Sequence, residues 1–132
     1  MALPNGGGGY QIGAGNVNEA QLLVQGAPTA LTGAATATAA QLANGLFTFN
    51  GTAGNLTLPT VADLEAGIPN AVKVNAAFDF FVINIDATTD DVTVATATGW
   101  TLVGNMKVDE ATSGHFRARK TGDGAWTCYR IS

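Results

Sequence analysis

Phe78-Asp-Phe-Phe-Val-Ile-Asn-Ile85 decides the fold. Its aromatic and β-branched residues have the length and composition of a strand. Period two places Phe78, Phe80, Val82 and Asn84 on one face and Asp79, Phe81, Ile83 and Ile85 on the other. Both faces are largely apolar, which a sheet with one side in water would not show. In a chain of 132 residues, one face is expected to close a two-layer core, leaving the other for a second layer or another subunit. Phe81 and Ile83 are therefore candidate interface residues of a homo-oligomer.

Outward from this strand, Asp91-Val-Thr-Val-Ala95, Trp100-Thr-Leu-Val103, His115-Phe-Arg-Ala-Arg119 and Trp126-Thr-Cys-Tyr-Arg-Ile131 repeat the same chemistry between glycine-marked turns. Leu46–Phe49 and Asn55–Leu58 alternate about Asn50-Gly-Thr-Ala-Gly54, which predicts a hairpin. Gly104-Asn105 is a second hairpin signal, and Thr121-Gly-Asp-Gly124 should turn the chain into its last strand. Leu22, Leu23 and Val24 suggest a further short strand before Gly26-Ala-Pro28. Two helical turns interrupt the pattern. One begins at Thr38 as N-cap and stops at Asn44-Gly45; the other opens on Thr60-Val-Ala-Asp63, spaced as a capping box, and closes at Gly67 and Pro69. The expected fold class is all-β: an antiparallel β-sandwich, with a jelly roll as one form of it, carrying two short helical turns and an extended N-terminal arm.

The arm comprises residues 1–18, where Gly6-Gly-Gly-Gly9, Gly13 and Gly15 leave few side chains to pack. Its anchors Leu3, Pro4, Tyr10 and Ile12 are candidates for docking on a neighbouring subunit. Residues 19–132 are expected to form the single sandwich domain. Up to Ala62 the one charged side chain is Glu19, so this half is expected to lie against other protein. The formal net charge of −4 argues against nucleic-acid binding, which normally requires a basic excess. The first residues lack a signal peptide's basic and apolar regions, and no apolar run approaches the ~20 residues of a membrane span. A soluble protein without membrane association is expected.

Catalytic chemistry finds few candidates. His115 has no nucleophile motif beside it, and one histidine with one cysteine cannot complete a zinc site. Cys128 reads as a small buried hydrophobe. Asp86, Asp90 and Asp91 crowd one turn, but their spacing matches no EF-hand loop. Asp63, Glu65, Asp79, Asp109 and Glu110 identify no carboxylate pair for glycoside hydrolysis. No enzyme activity, metal or cofactor is expected. Arg117 and Arg119 share one strand face, with Lys120 beside them and Arg130 on a neighbouring strand, which suggests a basic stripe suited to carboxylates across a protein interface. Asp79 or Asp109 could meet it. Trp100 and Trp126 could stack on a sugar, although strand tryptophans belong more often to cores or interfaces.

Leu56-Thr-Leu-Pro59, Ile68-Pro-Asn70, Phe78–Asn84, Gly99-Trp-Thr-Leu-Val-Gly-Asn105, Thr112-Ser-Gly-His-Phe-Arg-Ala-Arg-Lys120 and Trp126–Ile131, taken in order, resemble a small β domain of tailed-bacteriophage virion proteins. That domain occurs in head decoration, or cement, proteins and in tail or fibre components. The resemblance covers roughly Asn55 to Ile131. It implies a capsid decoration protein, made in the host cytoplasm and located on the capsid surface of the virion. Its implied partners are the major capsid protein and further copies of itself, with a homotrimer favoured. The alternative it leaves open is a trimeric tail-fibre or receptor-binding domain contacting host glycans.

Overall fold

The computed structural model describes Ala20 and residues 22–132. The arm of residues 1–18, with Leu3, Pro4, Tyr10 and Ile12, lies outside the described residues. Ten strands and two helices follow: β1 Thr29–Leu31, β2 Ala35–Thr36, α1 Ala39–Asn44, β3 Leu46–Phe49, β4 Gly54–Thr57, α2 Val61–Gly67, β5 Ala77–Asn84, β6 Val92–Ala95, β7 Trp100–Val103, β8 Lys107–Val108, β9 Ser113–Gly122 and β10 Ala125–Arg130. They form two sheets, ordered β1-β3-β5-β9-β10-β7 and β2-β4-β6-β8. The fold is β-rich, as expected.

The sheets are mixed and not antiparallel. From β1 to β9 successive strands enter the two sheets alternately, so a strand pairs with the next turn of the chain and not with its sequence neighbour. The pairs β1 with β3, β3 with β5, β2 with β4, β4 with β6 and β7 with β10 are parallel; β5 with β9, β9 with β10 and β6 with β8 are antiparallel. The hairpin expected of Leu46–Phe49 and Asn55–Leu58 is therefore absent, because β3 and β4 belong to different sheets. Gly104-Asn105 likewise carries the chain from β7 in one sheet to β8 in the other. The turn between β9 and β10 is the hairpin that the sequence predicts.

Stacked turns hold the coil together. Asn50 and Thr52 N–H donate to the carbonyls of Leu31 and Thr32 in the preceding turn, while Ile85 N–H donates to Phe49 O in the succeeding one. Gly51 lies where a Cβ would come within 2.1 Å of Thr32 O, so the stack needs glycine there. The same Asn-Gly chemistry that signals a hairpin thus serves close approach between successive turns of the chain.

Both helices form where caps were expected. Thr38 and Gln41 make a reciprocal capping box, and Gly45, at φ 79°, ends α1 in the left-handed conformation. Thr60 caps α2 by accepting from Asp63 N–H, and Ile68 is its C-cap. Leu42 of α1 and Val61 and Leu64 of α2 point into the core. By contrast, Leu22–Val24 is not a strand.

One hydrophobic core joins the two sheets and both helices. Across the six-stranded sheet, Phe47 meets Phe80 edge-on with centroids 6.2 Å apart, and Phe80 stacks on Phe116 at 5.2 Å. Trp126 packs between Phe78 and Trp100. Both indole N–H groups are satisfied, Trp100 by Pro59 O at 2.7 Å and Trp126 by Glu65 Oε2 at 3.1 Å. Asn84, polar and buried on the inner face of β5, donates to the carbonyls of Asp90 and Val108 and accepts from Asp86 N–H. It fastens β5 to β8 and to the turn that follows.

Gly51→Ala is expected to lower the unfolding free energy by about 1–3 kcal/mol through overpacking. Gly122→Ala, where an added Cβ meets nothing within 4 Å, should be neutral or stabilising by about 0.4–1 kcal/mol. Urea denaturation of the two variants checks the stacked coil, and equal effects would contradict it.

Candidate functional site

Alternation along β5 and β9 commits one set of side chains to the core and leaves the other outside. On the outward face Phe81, Ile83 and Ile85 are 43%, 36% and 54% exposed. Register sets Leu46 and Thr48 of β3 beside Phe81 and Ile83, with His115 and Ser113 of β9 on their other side. The His115 ring stacks on Phe81, centroids 4.4 Å apart and planes inclined by 22°. Ile131, exposed beyond β10, donates its N–H to His115 O. The result is an apolar surface on the middle of a sheet, uncovered among the described residues. Contiguous apolar patches of this kind mark interaction sites.

Paired charges border it. Asp79 lies opposite Arg117, whose Nε and second guanidinium nitrogen donate to the two carboxylate oxygens at 2.6 and 2.9 Å. His115 Nε2 lies 2.9 Å from Asp79 Oδ2. The guanidinium bonds foremost, assisted by His115 against partial burial, draw the Asp79 carboxyl from its ordinary 3.8 down to about 2. Arg119 donates to Tyr129 Oη and to Asn75 Oδ1.

The expected basic stripe is not assembled. Arg117 and Arg119 do share the outward face, but each has a partner within the chain. Lys120 points inward, where its buried ammonium pairs with Glu65. Period two already carried that signal, since residues 119 and 120 of a strand face opposite ways. Arg130 turns to the carbonyls of Asn105, Lys107 and Ser132.

The groups weighed for catalysis or metal binding do not converge on one site. Ser113 shares a face with His115, yet the imidazole's polar partner among the described residues is Asp79. Cys128 is buried, which pushes its thiol up to about 12 and leaves it protonated and unreactive. Asp86 closes its own turn by accepting from the N–H and hydroxyl of Thr88, and Asp90 accepts from Ala53 N–H. Asp91 instead approaches Asp109 and Glu110, a grouping made by the β6–β8 pairing that local spacing does not reveal. Lys107 Nζ lies 2.8 Å from Asp91 and 3.0 Å from Asp109, supplying the positive charge there. The tryptophans considered for sugar stacking are buried in the core, Trp100 at 8% and Trp126 at 1% exposure. No helix among the described residues is long and apolar enough to cross a membrane.

No family model, curated protein or solved structure matches this chain.

Because the Asp79 carboxyl titrates lower in the folded than in the unfolded chain, its stabilising contribution is fully present above about pH 5 and is lost as pH falls toward 2. Asp79→Asn should therefore be less stable than the unmodified protein at pH 6. The gap in melting temperature should narrow steadily between pH 5 and pH 2. A gap independent of pH would show that the pair contributes nothing through charge.

Proposed function

We propose that this chain is a non-enzymatic structural protein that assembles through the outward face of β5, and that it serves as a bacteriophage capsid decoration protein. The observation that carries the reading is the cluster Phe81, Ile83 and Ile85, exposed in the centre of a six-stranded sheet whose neighbouring charges are already paired. Leaving such a surface in water is unfavourable, and burial of each large apolar side chain contributes up to about 1.5–3 kcal/mol. A self-association surface removes the cost. The capsid assignment rests on the resemblance between Asn55 and Ile131; its partners would be the major capsid protein and further copies of this chain, as a homotrimer. The two sheets, sharing one core, are read as a β-sandwich whose coiled, partly parallel connections depart from jelly-roll order.

On this reading the protein acts mechanically. A specific interface buries on the order of 1,200–2,000 Å² in total, and any binding confined to the assembled shell stabilises that shell by mass action. Rigid sheets and paired border charges suit it to hold neighbouring subunits in register. The glycan-contacting fibre domain has less support, because the indoles that would stack on a sugar are committed to the core.

Multi-angle light scattering at micromolar concentration should find an oligomer, and Ile83→Asp should dissociate it, since a carboxylate cannot be buried unpaired at low cost. A monomeric unmodified protein would remove the basis of the reading. In purified virions, the chain should occur in a copy number comparable to that of the major capsid protein. A few copies would indicate an appendage, and none would contradict a virion role.

A further inference from the structure

A second apolar surface belongs to the chain itself. Leu22, Leu23 and Val24 are 88%, 93% and 103% exposed, and their segment belongs to neither sheet. Immediately after them the backbone is pinned. Gln25 Nε2 donates to Asn44 O at 2.8 Å and to Asn44 Oδ1 at 3.2 Å, and Asn44 Nδ2 donates to Ala27 O at 2.9 Å. Gly26 lies so close that a Cβ there would stand 2.5 Å from Asn44 Oδ1. The segment therefore leaves the body at a fixed point, the C-terminal end of α1.

That point adjoins the uncovered face. Gly45, next to Asn44, accepts the Phe81 N–H at 2.8 Å, and Leu46 stands beside Phe81 in register. The three residues beyond Gln25 can reach about 10 Å, yet their full exposure shows that they do not lie on the face of their own chain. Both surfaces have the same chemistry: residues 20–28 contain no charged side chain, and the charges bordering Phe81 and Ile83 neutralise one another within the chain.

We propose that Leu22, Leu23 and Val24 of one copy cover Phe81, Ile83 and Ile85 of a second copy. This rests on the reading of the β5 face as an assembly surface and names its occupant. Because the root of the segment adjoins the face it would cover on the neighbour, two copies brought face to face can exchange segments reciprocally, and a cyclic trimer can pass them around the ring. The exchange removes two apolar surfaces from water in one contact.

The test is complementation between two full-length variants. One carries Leu22→Ser, Leu23→Ser and Val24→Ser and keeps the face; the other carries Ile83→Asp and keeps the segment. Each substitution is at an exposed position, and a melting curve close to that of the unmodified protein verifies folding. Sedimentation should show each variant alone associating more weakly than the unmodified chain, on the order of a hundredfold. An equimolar mixture should recover association, because the segment of the second variant can cover the intact face of the first. If the triple-serine variant assembles as well as the unmodified chain, or if folded variants fail to associate on mixing, the exchange is overturned. Dissociation by Ile83→Asp alone would then still support the face as an assembly surface, now occupied by something other than this segment.

Discussion

The inner face of β5 organises the molecule. Phe80, in the middle of that strand, meets Phe47 from the parallel neighbour β3 and Phe116 from the antiparallel neighbour β9, so one aromatic row spans the part of the sheet where strand direction changes. Val82 and Phe47 share a register position, and Asn84 ends the same face with hydrogen bonds to β8 and to the Asp86–Asp91 turn. This row shares one hydrophobic core with residues of the four-stranded sheet and of both helices. A chain that alternates between two sheets supplies both layers with each turn.

The strict alternation that buries Phe80 and Val82 also determines what is left outside. A one-residue shift of β5 would exchange the two apolar faces at little cost in burial, so register must be specified elsewhere. Three features specify it: the Asp79–Arg117 pair, which can form only with those side chains outward; Asn84, whose three hydrogen bonds require it inward; and the Phe81 stack on His115. The polar contacts around the candidate surface thus choose between two apolar faces, and function inherits the face that is not chosen for the core.

Much of this was legible in the sequence. The segments Phe78–Ile85, Trp100–Val103, His115–Arg119 and Trp126–Ile131 have unmistakable strand composition, and the caps at Thr38 and Thr60 mark the helices because a side-chain oxygen must satisfy their first N–H groups. Pairing was not legible. Asn50-Gly51 between two alternating runs is compatible with a hairpin or with a tight passage between sheets, and the choice depends on Thr32, far back in the chain. Antiparallel order was the natural expectation, and the coil overrides it with long-range parallel contacts. Leu22–Val24 has strand composition but no partner among the described residues, which composition alone cannot reveal. The inward turn of Lys120 could have been read from period two, but its pairing with Glu65 required the tertiary fold.

The central claim is that the outward face of β5 is an assembly surface, and its accessibility in solution is the most direct measure of it. Hydroxyl-radical footprinting of the unmodified protein over a range of concentrations reports the exposure of Phe81, with Val72, 70% exposed and outside both sheets, as the internal reference. The account predicts that labelling of Phe81 falls several-fold as concentration rises while that of Val72 stays constant. Phe81 labelling that remains unchanged at every concentration would contradict it.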